Sequence, residues 1–165
     1  MVSDRAAVPP PHPSDAGVQI AAEAVILDAL GEALGRPLRQ GVAILMGDAE
    51  VRPDGVDASR SVFVEVFAHV GRLRGGQRHK VSTDALKLLA IRAAYPEAQL
   101  ILAFADREAA ASVSGWKAET LAANGTEIRV VDLAPSERAK IKAAQTRQRM
   151  VTVTPPKRRW SSRSL

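Results

Sequence analysis

Glu65 is the residue of this chain hardest to account for without chemistry. It stands inside SVFVEVFAHV (61–70), and its neighbours from Val62 to Ala68 are all apolar. The period of a strand puts Phe63, Glu65, Phe67 and His69 on one face, and Val62, Val64, Val66 and Ala68 on the other. A carboxylate on a buried face is costly unless a partner, a proton or a cation compensates it. A salt bridge to lysine or arginine is one answer. A metal ion is another. Asp54 lies eleven residues earlier in the turn triplet Pro53-Asp54-Gly55. Such a turn can close a hairpin that brings Asp54 beside Glu65. Two adjacent carboxylates repel, and a divalent cation relieves the repulsion. Magnesium accepts such ligands at ~2.1 Å and keeps waters for reaction. The expected metal ligands are therefore Asp54 and Glu65, with Mg2+ as the ion, Mn2+ as its substitute and Asp57 as a fallback ligand.

Further polar groups follow. Gln77, Lys80, Asp84 and Lys87 recur at offsets that form one stripe on a helix, beside an apolar stripe of Val81, Ala85 and Leu88. Lys80 or Gln77 could face the end of the Glu65 strand. An ammonium there can orient or help deprotonate a metal-bound water and neutralise developing phosphate charge. The plainer expectation is a solvated face carrying Lys80–Asp84 and Asp84–Lys87 pairs. Glu23 sits on an apolar helix stripe and also needs a partner, unless it reaches solvent. Arg72, Arg74, Arg78 and His79 surround Gly75-Gly76, a cationic group suited to a phosphodiester backbone. The string GRLRGG lacks the Gly-Lys-Ser/Thr ending of a P-loop. His69 lies about 13 Å along the strand from Glu65, too far to share one ion. It is expected as a packed or hydrogen-bonded histidine, or as a substrate contact.

The elements that must position these groups follow from periodicity and punctuation. A helix is predicted from Ser14 or Asp15, as caps, to Leu34, with Ile20, Leu27, Leu30 and Leu34 as its apolar stripe. GVAILMG (41–47) reads as a buried strand, and a second short strand is placed around Val51. SVFVEVFAHV is the strongest strand, dense in β-branched and aromatic residues. A helix follows from about 77 to 94, then a strand over 99–105, a helix over 107–123, a strand over 126–133 and a polar helix from Ser136. Hairpin-linked strands followed by strand–helix–strand predict an α/β fold, a mixed central sheet flanked by helices.

The 165 residues suggest one domain. Residues 1–13 hold four of the ten prolines and are expected to be disordered; 14–150 form the domain, and 151–165 a basic flexible tail. The chain has no cysteine, which excludes disulfides, thiolate zinc sites and cysteine nucleophiles. No stretch is apolar enough to span a bilayer, and the N-terminus lacks a signal-peptide core, so a soluble, cytoplasmic protein is expected. The net charge of +5 is uneven: residues 138–165 hold nine of the 23 Lys and Arg and no acid. Such an end attracts nucleic acid without sequence preference, or is simply solvated.

The string PDG…VFVEVFAH…GGQRHKVSTDALKLL, with a preceding helix that carries Glu23, resembles the PD-(D/E)XK nuclease superfamily over about residues 18–133. The resemblance implies a restriction-endonuclease-like αβββαβ core. It implies Asp54 and Glu65 as magnesium ligands and Glu23 as the acid that many members carry on the first helix. In that family a lysine two positions after the Glu assists the attacking water. Here Phe67 occupies that place. Either the role has moved to Lys80, with Gln77 helping, or catalysis is lost. The function expected is Mg-dependent hydrolysis of DNA, or of RNA, with Arg72, Arg74, Arg78 and His79 on the backbone and a homodimer or partner protein supplying specificity. The alternatives are an inactive module of the same fold that binds nucleic acid or a partner protein, and an α/β domain that binds a small molecule or nucleotide, in which Asp106 and Asp132 at strand ends matter more.

Overall fold

The computed structural model describes residues 13–152, so the expectations for residues 1–12 and 153–165 fall outside it. In chain order the elements are α1 (Pro13–Leu34), β1 (Leu38–Arg39), β2 (Ile44–Met46), β3 (Ala49–Val51), β4 (Gly55–Asp57), β5 (Val62–Phe67), α2 (Gly76–Ala94), β6 (Gln99–Phe104), α3 (Arg107–Ala111), α4 (Trp116–Ala123), β7 (Thr126–Val130) and α5 (Pro135–Thr152). Five strands form one sheet in the order β1-β4-β5-β6-β7. The β1–β4 and β4–β5 pairs are antiparallel; the β5–β6 and β6–β7 pairs are parallel. This is the mixed sheet flanked by helices that the pattern predicted.

β5 is central and buried along its whole length, as its β-branched and aromatic content requires. Its two faces meet different partners. Phe63 and Phe67 join Val81, Leu88 and Ile91 of α2 in one apolar cluster. Val62, Val64 and Val66 join Ile26, Leu27 and Leu30 of α1 and Ile141 of α5 in the other. α2 is thus the crossover between parallel strands on one face, and α1 and α5 cover the other.

Gly55 explains how closely α1 approaches. A Cβ at that position would collide with Leu27 Cδ2. Leu27 lies one helical turn after Glu23, so the bare backbone at Gly55 also lets Glu23 come down near Asp54.

Several expectations need correction. α1 is already helical at Pro13, upstream of the caps expected at Ser14 and Asp15. Ile20 is exposed, and Ile26 takes its place in the buried stripe. GVAILMG is not a strand of the main sheet: β2 and β3 form a separate hairpin that leaves Leu45 largely exposed. The 107–123 helix is broken at Gly115, whose φ of 63° interrupts it between α3 and α4. β1 and β4 were not foreseen; at two and three residues they carry too little periodicity to detect. Among the described residues, no helix is long and apolar enough to cross a membrane.

The turn that closes the β4–β5 hairpin is 58–61, not Pro53-Asp54-Gly55. Asp57 holds that turn. Its carboxylate accepts the Ser61 and Val62 N–H groups at 2.7 and 2.8 Å and the Ser59 and Ser61 hydroxyls. Burial opposes its charge, but these hydrogen bonds outweigh burial and bring it from 3.8 to about 2. Asp57→Ala should therefore cost about 2 kcal/mol at neutral pH. Because folding lowers this group's value, its contribution is complete above 3.8 and is lost as the pH falls through about 2. Urea unfolding across that range should find the two proteins far apart at neutral pH and converging in acid.

Candidate functional site

The site forms at the C-terminal half of β5, where β4 stops. Ladder pairing joins Gly55 to Val64, and one further residue in that register sets Asp54 beside Glu65. Asp54 turns its side chain back onto the ladder, and its Oδ2 accepts the Val66 N–H at 2.7 Å. It thus satisfies a backbone donor that the short strand β4 leaves unpaired.

Glu65 has no exposed surface. Its Oε2 accepts the Lys87 ammonium at 2.7 Å, while Oε1 is buried and, among the described residues, has no hydrogen-bond partner. Burial pushes its carboxyl well above the usual carboxylate range; the Asp54 and Asp84 charges push the same way, and Lys87 opposes them. Asp84 is buried on α2 and reaches both lysines: Oδ2 meets Lys80 Nζ at 2.7 Å, and Oδ1 meets Lys87 Nζ at 3.1 Å. The stripe at 80, 84 and 87 is therefore not a solvated face. Its carboxylate is inside, while the Lys80 side chain is 42% exposed and that of Lys87 26%.

Lys80 stretches across the aromatic face of Phe67, its ammonium 4.6 Å from the ring centroid. Burial works against its charge, but Asp84, Asp54 and Glu23 together raise its value, so it stays an ammonium through the neutral range. Glu23 approaches from α1, accepts a hydrogen bond from Gln19 at 2.9 Å and is held above the ordinary range mainly by burial, with Asp54 adding to it.

Of these groups Glu23 and Lys80 open on a cavity of about 170 Å³, also lined by Gln77, His69 and Gln145; Asp54, Glu65, Asp84 and Lys87 do not line it. His69 is buried; Gln77 reaches its Nδ1 at 3.0 Å and Gln145 its Nε2 at 3.4 Å. The histidine is thus hydrogen-bonded and sits beside the cavity, in keeping with both roles expected of it.

The basic loop is pinned by its backbone. Gly71 N–H donates to Asp106, Leu73 N–H to the Ser112 hydroxyl and Arg74 N–H to Gln77, all within 3.0–3.1 Å. Gly71 and Gly75 take φ of 90° and 49°, which explains the glycines at those two positions. Arg72, Arg74, Arg78 and His79 remain exposed around this rigid turn. Asp106 caps α3 and binds Arg138 at 2.9 Å, so its surroundings are structural.

The structure brings Glu23, Asp54, Glu65, Gln77 and Lys80 around one end of β5. It does not bring Asp57, which faces the opposite end of that strand with its acceptors filled. The Lys80–Asp84 and Asp84–Lys87 pairs expected of the polar stripe are both present, on a buried carboxylate; the contact of Lys87 with Glu65 was not foreseen. The offsets of those pairs, three and four along α2, were the available signal.

Four carboxyls (Glu23, Asp54, Glu65, Asp84) face two ammoniums (Lys80, Lys87), and without a cation burial favours the protonated forms of Glu65 and Glu23. The unpartnered Glu65 Oε1, with Asp54 beside it, suits a hard divalent cation. Among the described residues, no three acidic or histidine side chains converge as a ready metal site, so the protein would supply two carboxylates and solvent the remaining ligands. No protein-family profile, curated protein or solved structure matches this chain.

The Lys87–Glu65 pair yields a stability test. Folding raises the Glu65 value above its unfolded 4.5, so the ionised form becomes a growing penalty as the pH rises from there. Lys87→Met should cost about 2–3 kcal/mol at pH 8 and less at pH 5, where the stranded carboxyl takes a proton. Adding Glu65→Gln should recover most of the loss. Thermal melts of the single and double variants at both pH values measure it.

Proposed function

We propose that this protein hydrolyses phosphodiester bonds of DNA, with RNA as a second substrate class, using magnesium held by Asp54 and Glu65. The observation that carries the reading is the crowding of four carboxyls around two ammoniums at a buried site, with one Glu65 oxygen left without a partner among the described residues. The order α1, β1, β4, β5, α2, β6 supports a restriction-endonuclease-like αβββαβ core, with β2–β3 as an inserted hairpin. Asp54 before β4, Glu65 on β5 and Glu23 on α1 are in keeping with what the PD-(D/E)XK resemblance implies.

Hydrolysis adds water across a phosphorus–oxygen bond. The water oxygen bonds to phosphorus, one bridging bond breaks with its electrons left on oxygen, and the proton lost by water is balanced by one gained at the departing oxygen. Asp54 and Glu65 would hold a divalent ion, which when bound would supply Lewis-acid activation and charge neutralisation. Lys80 projects over Phe67, the family's lysine position, from the neighbouring helix. As a permanent ammonium it orients water and steadies the phosphate by hydrogen bonding; it does not take the proton. Glu23 lines the same cavity with a raised value and is placed to accept that proton. Arg72, Arg74, Arg78 and His79 would grip the backbone from a preorganised turn, giving affinity without base readout.

A second reading, the same fold as an inactive module binding nucleic acid or a partner protein, draws on Phe67 and on the ammonium of Lys87 already seated on Glu65.

Nicking of supercoiled plasmid separates the two. Cleavage should require Mg2+ or Mn2+ and fall at least ~100-fold in Glu65→Ala and in Lys80→Ala. DNA binding that survives with no cleavage by any divalent ion would favour the inactive module.

A further inference from the structure

We infer that Asp84 is a positioning residue that assigns two lysines to different tasks, holding Lys80 at the cavity and Lys87 on Glu65. Lys80 and Lys87 lie four residues before and three after Asp84, both offsets that share a helix face. Each Asp84 oxygen serves a different ammonium, at 2.7 and 3.1 Å. An exposed lysine–aspartate pair at this spacing would do little. Here the carboxylate is buried, and the two ammoniums are what make its burial tolerable.

The two lysines end in different surroundings. Lys80 lines the cavity and crosses the Phe67 ring; Lys87 is 26% exposed and binds Glu65 Oε2 at 2.7 Å. Asp84 does not line the cavity, so any effect it has must pass through the lysines. A lysine stem has many rotamers, and a lysine carried on a helix beside the site needs an anchor that a shorter reach from β5 would not. Asp84 is that anchor. Its neutral isostere should let the Lys80 ammonium swing away while Lys87 stays on Glu65.

The kinetic consequence rests on the hydrolytic reading above; the geometric one does not. In the full chain, Asp84→Asn should lower kcat for Mg-dependent plasmid nicking about 10- to 100-fold, with KM altered less than about threefold. Asp84→Glu keeps the charge and should lose less than about tenfold. Independently of cleavage, NMR titration of isotope-labelled lysine side chains, with Lys80 assigned through Lys80→Arg, should find Lys80 titrating lower in Asp84→Asn than in the parent and near the parent in Asp84→Glu. A parent that cuts no DNA would sink the hydrolytic reading alone, because the titration still decides the role of Asp84. An unchanged Lys80 titration in Asp84→Asn, or an equal loss of kcat in the asparagine and glutamate variants, would overturn the inference. If Asp84→Asn does not fold, Asp84→Glu carries the test: it must retain the Lys80 titration and lower kcat measurably, and failure of either overturns the proposal.

Discussion

A carboxylate with no exposed surface, set in the middle of the central strand, is the constraint around which the rest of this molecule is arranged. A group of that kind is tolerated only when its charge is met or its proton retained. Lys87 meets one oxygen of Glu65. The ammonium of Lys87 needs its own second acceptor, supplied by Asp84, and the second oxygen of Asp84 in turn engages Lys80. The chain of ion pairs runs from the core out to the cavity, and each link is required by the one before it. Burial lowers the local dielectric, which strengthens these pairs and also makes the unmatched Glu65 oxygen expensive.

The scaffold brings the remaining groups to the same end of β5. Three-residue β4 stops before the end of its partner strand, so Asp54 is freed to cap the ladder through Val66 N–H. Gly55 removes the side chain that would hold α1 away, and α1 delivers Glu23. α2 crosses the opposite face and delivers the lysines. Glu23 therefore arrives from α1, Asp54 and Glu65 from the sheet, and Asp84 with both lysines from α2, and they meet where the sheet edge is short. On the far side of the cavity, hydrogen bonds tie His69 to α2 and α5, and the basic turn behind it is fixed by hydrogen bonds to its own backbone.

Much of this was legible in the residues. One glutamate among valines and phenylalanines identified the important strand, and the 3.6-residue period of 77–94 located α2 and its polar stripe. The mixed sheet followed from the contrast between early hairpin strands and later strand–helix alternation. The failures have physical causes. GVAILMG has the composition of a core strand, yet composition does not tell which sheet a strand joins, and among the described residues β2 pairs with β3 alone. Pro53-Asp54-Gly55 is a favoured turn sequence, but Asp57 with its Ser59 and Ser61 partners builds the actual hairpin turn. Lys87 looked like one member of an exposed ladder because spacing along a helix does not reveal what packs against that face. Its reach to Glu65 is a tertiary contact across 22 residues of sequence.

The central claim is that a divalent ion takes the place of the protons that burial otherwise keeps on the carboxyls around Glu65. A crystal soaked in manganese, with anomalous scattering collected at the manganese edge, tests it most directly. The account predicts one peak between the Asp54 and Glu65 carboxylates, within bonding distance of Glu65 Oε1, that vanishes in Glu65→Gln. A clean map with Lys87 still seated and no peak at high manganese concentration would contradict it.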